Sequence, residues 1–270
     1  MDLPTVTAIS RPRTRADLDL SGPGVAPLAG GTWLFSEPQP HLSRLVDLTA
    51  LDWAPLTVTD AGLEIAATCT IEQLTRAALP ESWTAAPLFG QCAAALLASF
   101  KIWKTATVGG NLCLSFPAGA IITLFAALDG EALIWRPDGS EYRTPVTEFV
   151  TGAATNVLQP GEVVRSVGLT TRALQARTAF RKVALSPLGR SGVVLAGRVD
   201  AEAGFVLTVT AATDRPYVLR LPSVLTTSGL TAALAERIPD TAWHEDAHGA
   251  PDWRCHVTYV LAEQIRAELQ

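Results

Sequence analysis

Clustered cysteines, a basic surplus and long apolar runs are all missing from this chain, and each absence removes a class of function. The four cysteines, Cys69, Cys92, Cys113 and Cys255, lie far apart with no C-x-x-C spacing. They frame neither a zinc site nor an iron–sulfur cluster and read instead as reduced thiols buried as small hydrophobes. Charged residues make up 17% and the formal net charge is −5. With no Lys/Arg cluster interleaved with aromatics, nucleic acid is excluded as a partner. The longest apolar runs, "AAALLASF" and "AIITLFAAL", fall far short of the ~20 residues a membrane span needs. The start, "MDLPTVTAIS", lacks the basic and apolar regions of a signal peptide, so a soluble cytoplasmic protein is expected. Neither G-x-G-x-x-G nor G-x-x-x-x-G-K-[ST] occurs, which removes the Rossmann and P-loop phosphate sites on spacing. No G-x-S-x-G elbow is present, and no carboxylate pair stands in an apolar setting suited to acid–base work. Internal repeats, heptads and low-complexity segments are absent too.

What is present is a globular composition, 48% hydrophobic over 270 residues, enough for two domains. Short strands alternate with helices in the first part. "VTAIS", "VAPLAGG" and "RLVDLT" read as strands, the second ending in a glycine turn. "LTVTDAGLEIAATC" reads as a hairpin turning at Asp60-Ala61-Gly62. Thr70 with Gln73 forms a capping box that starts a helix. Residues 86–100, "APLFGQCAAALLASF", are apolar on nearly all sides and predict a buried helix. Residues 120–130 predict a helix stopped at Gly130, followed by a hairpin around Pro137-Asp138-Gly139 and the strand "GEVVRSVGLT". From about residue 170 the pattern changes. Four consecutive strand segments, "ARTAFRKVAL", "GVVLAGRVD", "FVLTVTAAT" and "PYVLRLP", precede two helices, "SGLTAALAERI" and "DWRCHVTYVLAEQIRAEL". That order predicts a separate α+β unit.

Two glycine pairs carry the candidate chemistry. Gly30-Gly31 in "PLAGGTWLF" and Gly109-Gly110 in "TATVGGNLC" both read as turns at the end of a strand. Bare backbone there exposes consecutive N–H groups to an anion; Thr32, Thr107 and Asn111 would add side-chain donors, and Asn111 would stitch one turn to the other. Ligand-free turns account for the same residues equally well. "HEDAH", residues 244–248, matches H-E-x-x-H, but Pro239, Gly249 and Pro251 leave little room for the helix that a zinc site needs. A loop is the better reading. His256 falls within the last helix as a packed or partner-facing residue.

"LAGGTWL" and "TATVGGNLCLSFPAGAIITLFAALDG" resemble the paired flavin-binding signatures of the FAD subunit of molybdenum hydroxylases, the xanthine dehydrogenase and carbon monoxide dehydrogenase family. The resemblance implies an α+β fold: a two-lobed p-cresol methylhydroxylase-type FAD-binding domain over 1–169, with lobes of about 1–54 and 55–169, followed by a smaller C-terminal domain of antiparallel sheet and helices over 170–270. It implies a first FAD loop of Ala29, Gly30, Gly31, Thr32, Trp33 and Leu34 and a second of Thr107, Gly109, Gly110 and Asn111. Lys182 matches a lysine the family often has near the flavin, or is an exposed strand lysine. The implied role is an oxidoreductase subunit of xanthine dehydrogenase type. It would take electrons from an iron–sulfur small subunit with [2Fe-2S] clusters, served by a large subunit with the molybdenum cofactor, and pass them through FAD to NAD or oxygen. A flavin-poor docking subunit of the same complex is the alternative. Four departures favour the alternative: Trp33, Trp103, Phe116 and Ala120 stand where the family pattern usually has polar residues. The tryptophans either stack on the ring system or fill core.

Overall fold

The computed structural model describes residues 2–201 and 204–270. Strands β1 (Ala8–Ser10), β2 (Val25–Leu28) and β3 (Arg44–Asp47) form a small parallel sheet in the order β1-β3-β2. Val46, Leu48 and Leu51 form a core cluster beneath it with Val163.

The hairpin β4 (Leu56–Thr59) and β5 (Gly62–Ala66) turns where expected. The predicted capping box then starts α1 (Ile71–Thr75): Thr70 Oγ1 accepts from Gln73 N–H and Gln73 Oε1 accepts from Thr70 N–H. The predicted helix over 86–100 is broken in two. α2 (Pro87–Ala95) stops at Leu96, whose backbone is extended, and α3 (Phe100–Trp103) restarts after Ser99. Two observations explain the break. The Ala95 carbonyl is taken by Ser191 Oγ at 3.2 Å, and Leu97 and Phe100 face outward instead of inward.

Glycines 109 and 110 also differ from expectation. They lie in the first turn of α4 (Val108–Leu114) and not in a strand-end turn. Thr107 caps that helix by accepting from Gly110 N–H at 3.1 Å. α5 (Ala120–Ala127) is buried along its whole length. Its terminator is Asp129, in left-handed conformation at φ 53°, while Gly130 N–H closes the turn on the Phe125 carbonyl, a Schellman arrangement. Gly130 is needed for space: a Cβ there would lie 2.9 Å from that of Phe125.

β6 (Glu131–Trp135) and β7 (Glu141–Pro145) form the next hairpin. Short elements missed in the sequence follow: α6 (Val146–Phe149), β8 (Val150–Gly152) and β9 (Thr155–Asn156). β10 (Val163–Thr170) then completes a five-stranded antiparallel sheet, order β4-β5-β10-β6-β7.

After the one-turn α7 (Thr171–Leu174), β11 (Arg177–Val183), β12 (Val193–Asp200), β13 (Gly204–Thr210) and β14 (Tyr217–Leu221) form an antiparallel sheet in chain order. Helices α8 (Thr227–Arg237) and α9 (Pro251–Leu269) pack on it. β12 is buried on both faces because α9 covers one side and α5 the other. That double burial explains why its sequence reads as a nearly unbroken apolar run. The α+β class and the run of strands followed by helices are as expected. "HEDAH" is a loop, and no group of metal-binding residues occurs among the described residues. No helix there is long and apolar enough to cross a membrane.

Candidate functional site

β2 delivers the chain to residues 29–34. Gly31 adopts φ +67°, in the left-handed region that a side chain rarely occupies. The chain then makes one helical turn, with Phe35 N–H donating to Gly31 O and Ser36 N–H to Trp33 O, both at 2.9 Å. The N–H groups of Gly30, Gly31, Thr32, Trp33 and Leu34 therefore find no acceptor among the described residues. A row of unpaired backbone donors that includes a left-handed residue, Gly31, is suited to an anion.

The other glycine stretch is wired differently. Val108 N–H donates to Cys69 O at 2.9 Å, Gly109 N–H to Ala67 O at 2.8 Å, and Gly110 N–H to Thr107 Oγ1. The N–H groups of Val108, Gly109 and Gly110 are thus satisfied within the protein, while that of Thr107 finds no acceptor among the described residues. Asn111 does not stitch one glycine stretch to the other: its Oδ1 accepts from Ile121 N–H at 3.1 Å, capping the first turn of α5. What brings the stretches together is close packing. A Cβ on Gly30 would stand 1.9 Å from the Thr105 carbonyl oxygen, and one on Gly109 would stand 2.5 Å from the Ala67 Cβ. Gly110 is the exception. An added Cβ there would meet only Thr107 Oγ1, at 3.1 Å, within 4 Å.

Between the two stretches lies a cavity of about 490 Å³. Ala29, Gly30, Gly31, Thr32, Trp33 and Leu34 line it, as do Thr107, Gly109, Gly110 and Asn111. Lys182 does not; it sits half-buried on β11 opposite Val194. The rest of the lining is largely hydrocarbon. Trp33 and Phe116, two of the departures from the family pattern, touch each other edge-on with ring centroids 4.8 Å apart. Trp103 packs against the main core and Ala120 is buried in α5; neither lines the cavity.

Residues 95–98, Glu162 and Arg190 line it as well, and none carried a signal in the sequence. Arg190 lies in a turn-rich stretch, "SPLGRSG", that local pattern cannot place against a site 160 residues earlier in the chain. Glu162 is fully engaged: it accepts from Arg136 Nε at 3.2 Å, Tyr142 OH at 3.0 Å and Gln159 N–H at 2.9 Å. Burial pushes the Cys113 thiol up to about 12, so at neutral pH it is no nucleophile. Among the described residues that line the cavity, the one carboxylate is Glu162, and it is already taken up by protein donors.

Residues 11–169 match the model of the FAD binding domain in molybdopterin dehydrogenase. No curated protein sequence matches the chain. Among solved structures it is similar to a chain of CO dehydrogenase from Oligotropha carboxidovorans, with TM-score 0.82 and 20% identity, covering 99% of each chain. It is also similar to a chain of quinoline 2-oxidoreductase from Pseudomonas putida 86, with TM-score 0.77 and 18% identity over 99% of this chain and 98% of that one. A chain of carbon monoxide dehydrogenase from Hydrogenophaga pseudoflava gives TM-score 0.79 at 18% identity, over 98% and 97% of the two chains.

Proposed function

The chain belongs to the family of FAD-binding domains of molybdopterin dehydrogenases, and on that premise we propose that it is the electron-transfer flavoprotein subunit of a molybdenum-dependent hydroxylase or dehydrogenase. The row of unpaired N–H groups at residues 30–34, on residues that line a cavity with apolar walls, carries the reading. Those donors fit a diphosphate, since an N–H to a charged oxygen contributes about 1.5–3 kcal/mol net, and the hydrocarbon walls fit a flat ring system. FAD, when bound, supplies the redox chemistry that side chains lack.

The protein's own part is to hold and orient. Gly31, in its left-handed conformation, would present the donors to a diphosphate, and Thr32 would add a hydroxyl. Thr107, Gly109, Gly110 and Asn111 shape the opposite wall, with Thr107 and Asn111 acting through the helix ends they cap. With the lining carboxylate Glu162 taken up by three donors, the cavity suits a subunit that relays electrons. Partner chains are proposed to carry the [2Fe-2S] clusters and the molybdenum cofactor, because the four cysteines here, Cys69 and Cys92 buried and Cys113 and Cys255 partly so, form no metal-binding group among the described residues. A division at residue 169/170 is proposed on the same basis: the family match ends there, and the two main core clusters fall largely on either side of it.

The Trp33–Phe116 contact favours a second reading, the flavin-poor docking subunit, because two aromatics meet within the space a cofactor would use. The purified complex separates the two. Flavin released on denaturation at about one per chain supports electron transfer, and a colourless complex from flavin-replete cells supports docking. At residue level, Gly110→Val is expected to leave the protein folded, since helix propensity changes by less than about 1 kcal/mol. Its side chain enters the cavity, and flavin content should fall to near zero. Full retention of flavin in that variant would remove α4 from the site.

A further inference from the structure

Among the described residues, Arg190 is the one cationic side chain lining the cavity, and the sole lining residue contributed from beyond residue 170. No hydrogen bond or ion pair engages its guanidinium among the described residues. A free guanidinium at a cavity whose other charge, Glu162, is already neutralised is a charge without a protein counterpart.

Its loop is not loose at the foot. Ser191 is buried and its Oγ donates to Ala95 O at 3.2 Å. Gly192 N–H closes on Val183 O at 2.9 Å. The Gly192 carbonyl accepts from Arg254 Nη1, and Arg254 is itself fully buried. These bonds fix where the arginine leaves the backbone, next to Ser191 on the Ala95 carbonyl, and residues 95–98 line the same cavity. That part of the wall is hydrocarbon, whereas the unpaired N–H groups lie at residues 30–34. A diphosphate belongs with the N–H row. A conjugated ring belongs against the hydrocarbon strip, and there the arginine meets it.

We propose that Arg190 is the electrostatic partner of the FAD ring and stabilises its reduced, anionic form. The proposal rests on the flavin reading above. Two electrons and one proton added to the oxidised ring leave it with one negative charge. Arg190 is exposed and borders the cavity; a cation at the rim of a mostly apolar cavity binds that form better than the neutral oxidised one, so the reduction potential rises. Arg190 does not take part in proton transfer, because a guanidinium keeps its protons.

The test is reductive titration of the FAD-loaded protein in wild type, Arg190→Lys and Arg190→Gln, with ADP and FAD affinities measured in parallel. Arg190→Gln is expected to weaken the preference for reduced over oxidised FAD about tenfold, a shift of about 30 mV to more negative potential for a two-electron couple. Arg190→Lys should recover most of it. Affinity for ADP, which occupies the diphosphate end alone, should stay within about twofold. An unchanged potential in Arg190→Gln overturns the proposal, and so does a parallel loss of ADP affinity, which would make the arginine a diphosphate ligand. A wild-type protein that holds no FAD defeats the flavin reading itself and this proposal with it.

Discussion

Replacing Asp129 with alanine is expected to lower the unfolding free energy by about 3–5 kcal/mol, measured as the denaturant midpoint at constant slope. Three arginines converge on this carboxylate: Arg198 from β12, Arg220 from β14 and Arg172 from α7. Arg220 and Arg172 are half exposed, and their pairs contribute little. Arg198 decides the magnitude. It is 1% exposed, donates to Ala127 O at 2.6 Å, and its Nε faces Asp200 at 3.3 Å. Removing Asp129 strands part of that buried charge. It also puts alanine at φ 53°, a conformation that aspartate tolerates better.

Asp129→Asn keeps the turn and removes only the charge, so about half the loss is expected from it. The same pair gives a pH signature. Burial pushes the Asp129 carboxyl up, but hydrogen bonds from Arg220 and Arg198 together hold it below its ordinary value of 3.8. A depressed folded value means the contribution is complete above 3.8 and lost as pH falls through the lower folded value. The wild-type protein should therefore lose stability more steeply than Asp129→Asn on acidification below that point. Parallel acid limbs would show that the carboxylate does not tie α5 to the C-terminal sheet.

Legibility in the sequence followed the range of the interactions. The Thr70/Gln73 box spans three residues and each half bonds to the other, so local sequence suffices. The hairpins at residues 60–62 and 137–139 are equally local. α4 was hidden because Thr-Val-Gly-Gly has the poorest helix formers in its first turn; the carbonyls of Ala67 and Cys69, some 40 residues earlier, hold it in place. Apolar content over 86–100 suggested one buried helix, yet Leu97 is 57% and Phe100 69% exposed. Hydrophobicity alone did not show that the chain would leave the helix to wall a cavity. The glycine pairs were visible as bare backbone, but glycine serves three ends here: conformation at Gly31, close packing against backbone or core at Gly30 and Gly109, and room for the Thr107 cap alone at Gly110. Only neighbours in space distinguish them. Arg190 depends on neighbours alone.

Gly30→Ala is expected to abolish flavin retention, with a loss of more than about 100-fold in affinity, although it adds a single methyl group. Its Cβ would fall 1.9 Å from the Thr105 carbonyl oxygen, 2.7 Å from the carbonyl carbon and 3.1 Å from Ala106 Cα. All three are backbone atoms, so no side chain can swing aside, and the two lips of the cavity must separate by more than 1 Å to reach ordinary contact. Overpacking of this kind costs about 1–3 kcal/mol of stability, which a folded protein survives. The site does not survive it: the N–H row is carried on one lip and the facing wall on the other, and donors misplaced by that distance no longer meet the same oxygens. Gly90→Ala on α2 is the control, because nothing lies within 4 Å of its added Cβ and helix propensity favours the change by up to about 1 kcal/mol. That variant should be as yellow as wild type and slightly more stable. If Gly30→Ala instead keeps flavin at wild-type affinity while losing stability, the contact between the lips is merely architectural, and the cofactor is held by residues other than 29–34.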